Sequence, residues 1–171
     1  MSKPEGVRVK RLFVNFNDVF VFPYGTEQDL AGMRILMDNI IYALSIMSYC
    51  EDIELYVCSK STKSKNNMDK INELLDCYMP FIDSMHRLFL SGEQNKKMVI
   101  PRKVNKRDFL LDSCTSDLLE WETASTYGCG SGIKLVGEKC EDSILWYGAT
   151  ILVNQKEDLD IVREILCHLS E

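Results

Sequence analysis

The sequence predicts an α/β fold built on a mostly parallel central sheet. Three observations carry that expectation. Short apolar runs bounded by polar turns alternate with stretches whose apolar residues recur at three- and four-residue steps. The first run, Val9 to Phe16, is apolar over most of its length, which suits a strand covered on both faces. The chain of 171 residues shows no internal repeat and no low-complexity linker, so a single domain over residues 1–171 is expected.

After the strand Val9 to Phe16, a helical pattern runs from Glu27 to Tyr49, with Leu30, Met33, Ile35, Leu36, Ile40, Ile41, Leu44 and Met47 on one face. Ile53 to Cys58 is the second strand, and Ser59 to Asn67 is a polar turn. A helix over Met68 to Tyr78 is stopped by Pro80. Arg87 to Leu90 reads as a short strand, followed by a loop carrying Lys96, Lys97, Arg102 and Lys103. Asp108 to Asp112 is a strand and Thr115 to Ala124 a helix, capped by Ser113 or Thr115, with Asp117 and Glu120 in its early turns. A loop at Gly128 to Gly132 leads to strands Ile133 to Val136 and Leu145 to Val153, and Glu157 to Leu169 closes the chain as an amphipathic helix.

Composition narrows the function classes. A net charge of −6 disfavours nucleic acid or an anionic membrane as partner, because both call for a basic face. No apolar run reaches bilayer length and the first residues lack a secretory pattern, so a cytoplasmic protein is expected. Seven cysteines without a C-x-x-C pair, and only two histidines, argue against a zinc site. Most of the cysteines are expected as small core residues.

Polar residues gather where strands end. Asn15, Asn17 and Asp18 follow the first strand, Ser59 the second, and Asp112 with Ser113 the strand before the Thr115 helix. Ligands of open α/β sheets collect at such carboxyl ends. The segment Asp108-Phe-Leu-Leu-Asp-Ser-Cys-Thr-Ser-Asp-Leu-Leu-Glu-Trp121 resembles the pattern D-[FY]-L-[IL]-D-D-x-T-x-N-L-x-x-W of the haloacid dehalogenase superfamily, in its small 5′(3′)-deoxyribonucleotidase-like proteins. Gly132-Ile-Lys-Leu135 is similar to that group's next strand, and Leu55-Tyr-Val-Cys-Ser59 to the strand ending in its phosphate-binding serine or threonine. The resemblance implies a Rossmann-like three-layer sandwich. The short span from Phe22 to Asp52 leaves room for little or no cap domain.

In that family the first motif holds two aspartates two residues apart, then glycine; this chain has Asn15, Asn17 and Asp18. The resemblance puts Asn15 at the nucleophile and Asn17 at the acid/base. A carboxamide neither forms an acyl phosphate nor exchanges protons near neutral pH. Ser59 and Lys96 or Lys97 fall at the phosphate contacts, and Asp112 at the magnesium-binding acid, with Ser113 where a second aspartate is usual. Asp18 is the remaining candidate for a second ligand, so any Mg2+ binding is expected to be weak.

Each residue also has a plainer role. Ser59 serves equally as a turn or cap residue, at least one of Lys96 and Lys97 is expected in a solvated loop, and Trp121 is expected in the core. Asp112, without a second carboxylate, fits a structural acceptor. Arg102, Lys103, Lys106 and Arg107 are a solvated face, or steer an anion from the crevice mouth. The leading expectation is a domain that has lost phosphatase activity and binds a phosphate-bearing small molecule or nucleotide as a regulatory module. The alternatives are a Mg2+-dependent 5′-nucleotidase or phosphatase using Asp18 and Asp112, and a structural or interaction protein with no ligand.

Overall fold

A computed structural model describes residues 9–17, 19, 21–22, 34–35, 38–60, 65–91, 94–137, 144–153 and 156–170. Its strands are β1 (Lys10–Asn15), β2 (Val21–Phe22), β3 (Arg34–Ile35), β4 (Ile53–Lys60), β5 (Arg87–Leu90), β6 (Asp108–Asp112), β7 (Ser131–Val136) and β8 (Ala149–Leu152). Its helices are α1 (Asp38–Met47), α2 (Lys65–Tyr78), α3 (Lys96–Val99), α4 (Thr115–Glu122) and α5 (Asp158–Leu169).

Six strands form one all-parallel sheet in the order β5-β4-β1-β6-β7-β8. The chain steps outward from β1 through β4 to β5, then crosses back to β6 and continues to β8. Strand order therefore reverses between β1 and β6, where a Rossmann-like sheet opens a crevice at its carboxyl edge.

Two apolar layers hold the sheet. Period-two alternation turns Leu12 and Val14 to one side, against Ile40 and Leu44 of α1, Ile71 and Leu75 of α2, and Ile161 and Ile165 of α5. Phe13, Tyr56, Cys58 and Leu110 face the other side, against Leu118 and Trp121 of α4, with Val99 of α3 packed beside them. Each such aliphatic side chain taken from water contributes about 1.5–3 kcal/mol before entropy is counted. Trp121 lies in this core as expected, its ring tilted 5.3 Å from Phe13 and its indole N–H donating to the Asp108 carbonyl at 3.2 Å.

At the amino edge, β1 and β6 are fastened by charge. Arg11 donates to Asp108 from Nε at 2.6 Å and from Nη2 at 2.7 Å, and the two residues are register partners. Pro101 and residues 102–107 lie toward this same edge, because they lead into the start of β6 and the Pro101 carbonyl accepts from Arg11. This corrects one expectation: Arg102, Lys103 and Lys106 are exposed as a solvated face, but toward the edge opposite the crevice mouth and not beside it.

Other differences have local causes. The helix expected from Glu27 begins at Asp38, and Arg34–Ile35 instead pairs antiparallel with Val21–Phe22. Leu30, Met33 and Leu36 lie outside the described residues, as do 23–33 as a whole. Between Phe22 and Asp52 the described residues hold only the β3 strand and α1, with a short turn after it. The expected strand Leu145 to Val153 shortens to Ala149–Leu152, since Trp146 folds back to donate to the Ala149 carbonyl and packs over Gly132 and Gly148. Of the described cysteines only Cys58 is buried; Cys77 and Cys167 are exposed, against the expectation that most are core residues. Among the described residues no helix is long and apolar enough to cross a membrane.

Candidate functional site

The crevice at the β1/β6 switch point is built from the ends of three strands and two helices. Asn15 ends β1 and Asp112 ends β6, while Cys58 is the register partner of Asn15 on β4. Parity places all three on the α3/α4 side of the sheet, with Phe13, Tyr56 and Leu110. The α3 turn then supplies Lys96 and the first turns of α4 supply Asp117.

Asn15 is 3 % exposed and its orientation is set by its neighbours. Nδ2 donates to the Asn17 carbonyl at 2.8 Å and to Asp112 Oδ1 at 3.0 Å. Two acceptors on that side identify it as the amide nitrogen. The Cys114 N–H also donates to Asp112 Oδ1, at 3.0 Å, so the Asp112 carboxylate serves the first turn of α4 where Ser113 or Thr115 was expected to cap it. Thr115 instead accepts from the Lys134 ammonium at 2.8 Å.

A chain of alternating charges extends from Asp112. Its Oδ2 lies 3.3 Å from Lys96 Nζ, which donates to Asp117 Oδ2 at 2.6 Å, and Asp117 Oδ1 meets Lys60 Nζ at 3.3 Å. Burial pushes the Asp112 carboxyl up to about 6 against the pull of Lys96. Burial also opposes the charge on Lys96, but the carboxylates of Asp112 and Asp117 outweigh it and hold the ammonium above its usual value. Asp117, less buried, is held below the usual carboxylate range because Lys96 and Lys60 outweigh its own desolvation. Beneath them the Cys58 thiol is pushed up to about 12 by burial and stays protonated.

The expected site residues separate into groups. Asn15, Asp112 and Lys96 are brought together, and Asn17 joins them by its carbonyl while its side chain accepts from the Lys60 N–H at 3.1 Å. Ser59 sits at the same edge, but the pleat turns it to the face of Val57; its buried hydroxyl has no hydrogen-bond partner among the described residues. Lys97 points elsewhere: its ammonium donates to the carbonyls of Thr123 at 2.8 Å and Gly128 at 3.0 Å, and to the Ser125 hydroxyl. Neither lysine is in a solvated loop, because Asn95 caps α3 by accepting from the Met98 N–H and the resulting turn buries both. Asp18 lies outside the described residues. Lys60 was not anticipated as a site residue, and Asp117 only as a charge favouring the helix start; Lys60 directly follows Ser59 at the end of β4, and Asp117 lies in the first turn of α4, five residues after Asp112.

A polar pocket of about 160 Å³ opens between α3 and α4, lined by Lys60, Gln94, Asn95, Lys96, Asp117 and Glu120 among others. The side-chain oxygens of Gln94 and Asn95 accept the N–H groups of Ser91 and Met98, at 3.1 and 3.2 Å. Their amide nitrogens therefore remain as donors with no partner among the described residues.

The residues present do not fit a family-type magnesium site. Among the described residues no group of three His, Cys, Asp or Glu side chains is arranged to hold a metal ion. Asp112 Oδ1 already accepts from the Asn15 amide and the Cys114 N–H, Oδ2 lies against the Lys96 ammonium, and Mg2+ at its usual oxygen distance of about 2.1 Å would share the carboxylate with that ammonium.

The fold and crevice define a Rossmann-like α/β protein with an internally paired polar site at its switch point. Comparison with protein-family models and with curated proteins finds no match for this chain.

Proposed function

We propose that the chain is a haloacid-dehalogenase-like domain that no longer transfers phosphoryl groups and instead binds a phosphate-bearing small molecule or nucleotide. One observation carries the loss of chemistry: the side chain at the end of β1 is a carboxamide whose nitrogen is committed to Asp112. Its oxygen is a neutral acceptor and no nucleophile, and Asn17 supplies no proton. The strand order and the gathering of Asn15, Asp112 and Lys96 at one edge support the relationship to that superfamily.

Unspent donors support an anionic ligand. An ammonium has three N–H donors; Lys60 uses one on Asp117, and Lys96 faces two carboxylates. With the Gln94 and Asn95 amides they line one pocket. Its volume is below the 300–1,000 Å³ of ordinary ligand pockets, so it suits a phosphate group whose remainder extends outward.

The test is a panel of phosphate esters with the pure protein, with and without Mg2+, beside a thermal-shift screen of the same compounds. The expected outcome is no turnover, with stabilisation by at least one phosphate compound. Turnover that disappears in Asp112→Asn would instead establish the Mg2+-dependent hydrolase. A second reading, an interaction protein without ligand, draws on the ion chain being neutral in itself, two lysines against two aspartates. It requires that no phosphate compound stabilises the fold.

A further inference from the structure

We infer that the Lys96 ammonium is a built-in cation for the Asp112 and Asp117 carboxylates, so that this crevice binds its anion without a divalent metal; the anion clause rests on the reading just given. Lys96 is 5 % exposed, and its Nζ is the shared neighbour of Asp112 Oδ2 at 3.3 Å and Asp117 Oδ2 at 2.6 Å. A buried carboxylate, Asp112, and a half-buried one, Asp117, around one locus repel each other and need a positive centre between them. In a magnesium-dependent phosphatase that centre is an ion taken from solution; here it is covalently part of α3.

The surroundings agree with that assignment. Asn15 adds a neutral amide where a further carboxylate would demand a second positive charge, and it donates to Asp112 rather than repelling it. Asp112 Oδ2 has the Lys96 charge beside it but no hydrogen bond among the described residues, and Asn15 Oδ1 has none either. Oxygen ligands are therefore at hand, and a cation already stands among them. Side-chain movements of about 1 Å separate ammonium contact from metal contact. The locus is thus selective by prior occupation: a divalent ion has to displace a tethered charge held by a neighbouring carboxylate.

The test removes the tethered charge. Wild type, Lys96→Met and the double variant Lys96→Met/Asp112→Asn are titrated with Mg2+ and with Mn2+, against sodium chloride of equal ionic strength. Thermal unfolding and calorimetry are read. Wild type should show no divalent-specific response. Lys96→Met should be less stable and should recover about 3–6 °C at tenfold saturation with metal, and the double variant should recover none. If Lys96→Met is unfolded alone and folds with the metal, the inference stands. It is overturned if wild type gains as much from the metal as Lys96→Met does, or if Lys96→Met, folded or not, gains nothing. Inorganic phosphate is titrated separately into wild type without metal. Failure to bind there removes the phosphate reading while leaving the metal result to be judged on its own.

Discussion

Asn15 donates to Asp112 across 3.0 Å, and the character of the crevice follows from that contact. An aspartate at the same place would bring a second negative charge against a carboxyl that burial already pushes up to about 6. That shift makes a prediction about pH. Folded Asp112 holds its proton to a higher pH than the unfolded chain does, so between about pH 4 and pH 6 the folded state binds more protons and stability falls as pH rises. Asp117 acts in the opposite sense: its folded pKa is lowered, so its contribution is lost as pH falls below the ordinary carboxylate range. Comparing Asp112→Asn with wild type isolates the first effect. The stability of wild type relative to the variant should decline over pH 4–6, by at most on the order of 3 kcal/mol, and level off above. Thermal unfolding across that range checks it; a flat difference would mean that Asp112 titrates as an ordinary carboxyl.

At the scale of elements, α3 and the turn after α4 decide which lysine enters the crevice. Sequence spacing did not distinguish adjacent Lys96 and Lys97, because the distinction depends on a four-residue turn capped by Asn95. Once that turn forms, neighbouring side chains point about 100° apart, and Lys97 is captured by the carbonyls of Thr123 and Gly128. Gly128 has φ of +93°, and a Cβ there would stand 1.9 Å from the Val104 carbonyl oxygen. Gly128→Ala should therefore cost at least about 2 kcal/mol, from positive φ and backbone clash together, lowering the midpoint by roughly 4–8 °C. Differential scanning calorimetry measures this, and a loss under 1 °C would mean the turn relaxes freely. The strands near the crevice were legible because continuous apolar runs end in polar residues there. The segment 34–35 was not, since Ile35 fits a helical face as well as a strand, and only pairing with β2 separates the two.

For the whole molecule, the all-parallel sheet puts its most covered strands in the middle. Leu12, Phe13, Val14, Leu110 and Leu111 have no exposed surface, and β1 and β6 are flanked by strands on both sides. β8 is an edge strand carrying the exposed Leu152. Native-state hydrogen exchange should show β1 and β6 amides opening only with global unfolding, and β8 amides exchanging earlier by local opening. Equal protection in β8 and β1 would contradict this, and would mean that something covers the β8 edge in solution. The Arg11–Asp108 pair at one end of the central strands and the Asn15–Asp112 contact at the other keep these two strands in register.

The alternation of strands and helices, the parallel sheet and the polar character of three strand ends are legible in the residues alone, because each depends on local periodicity and on where apolar runs stop. The sequence also shows that carboxamides, Asn15 and Asn17, stand at the end of the first strand. It takes the packed fold to set Lys96 between Asp112 and Asp117, to extend the chain of charges to Lys60, and to turn Ser59 to the other face of the sheet. Those contacts join residues 16 to 57 positions apart, or depend on pleat and turn geometry. A one-residue change of register or of helix start would reverse them without altering any local pattern.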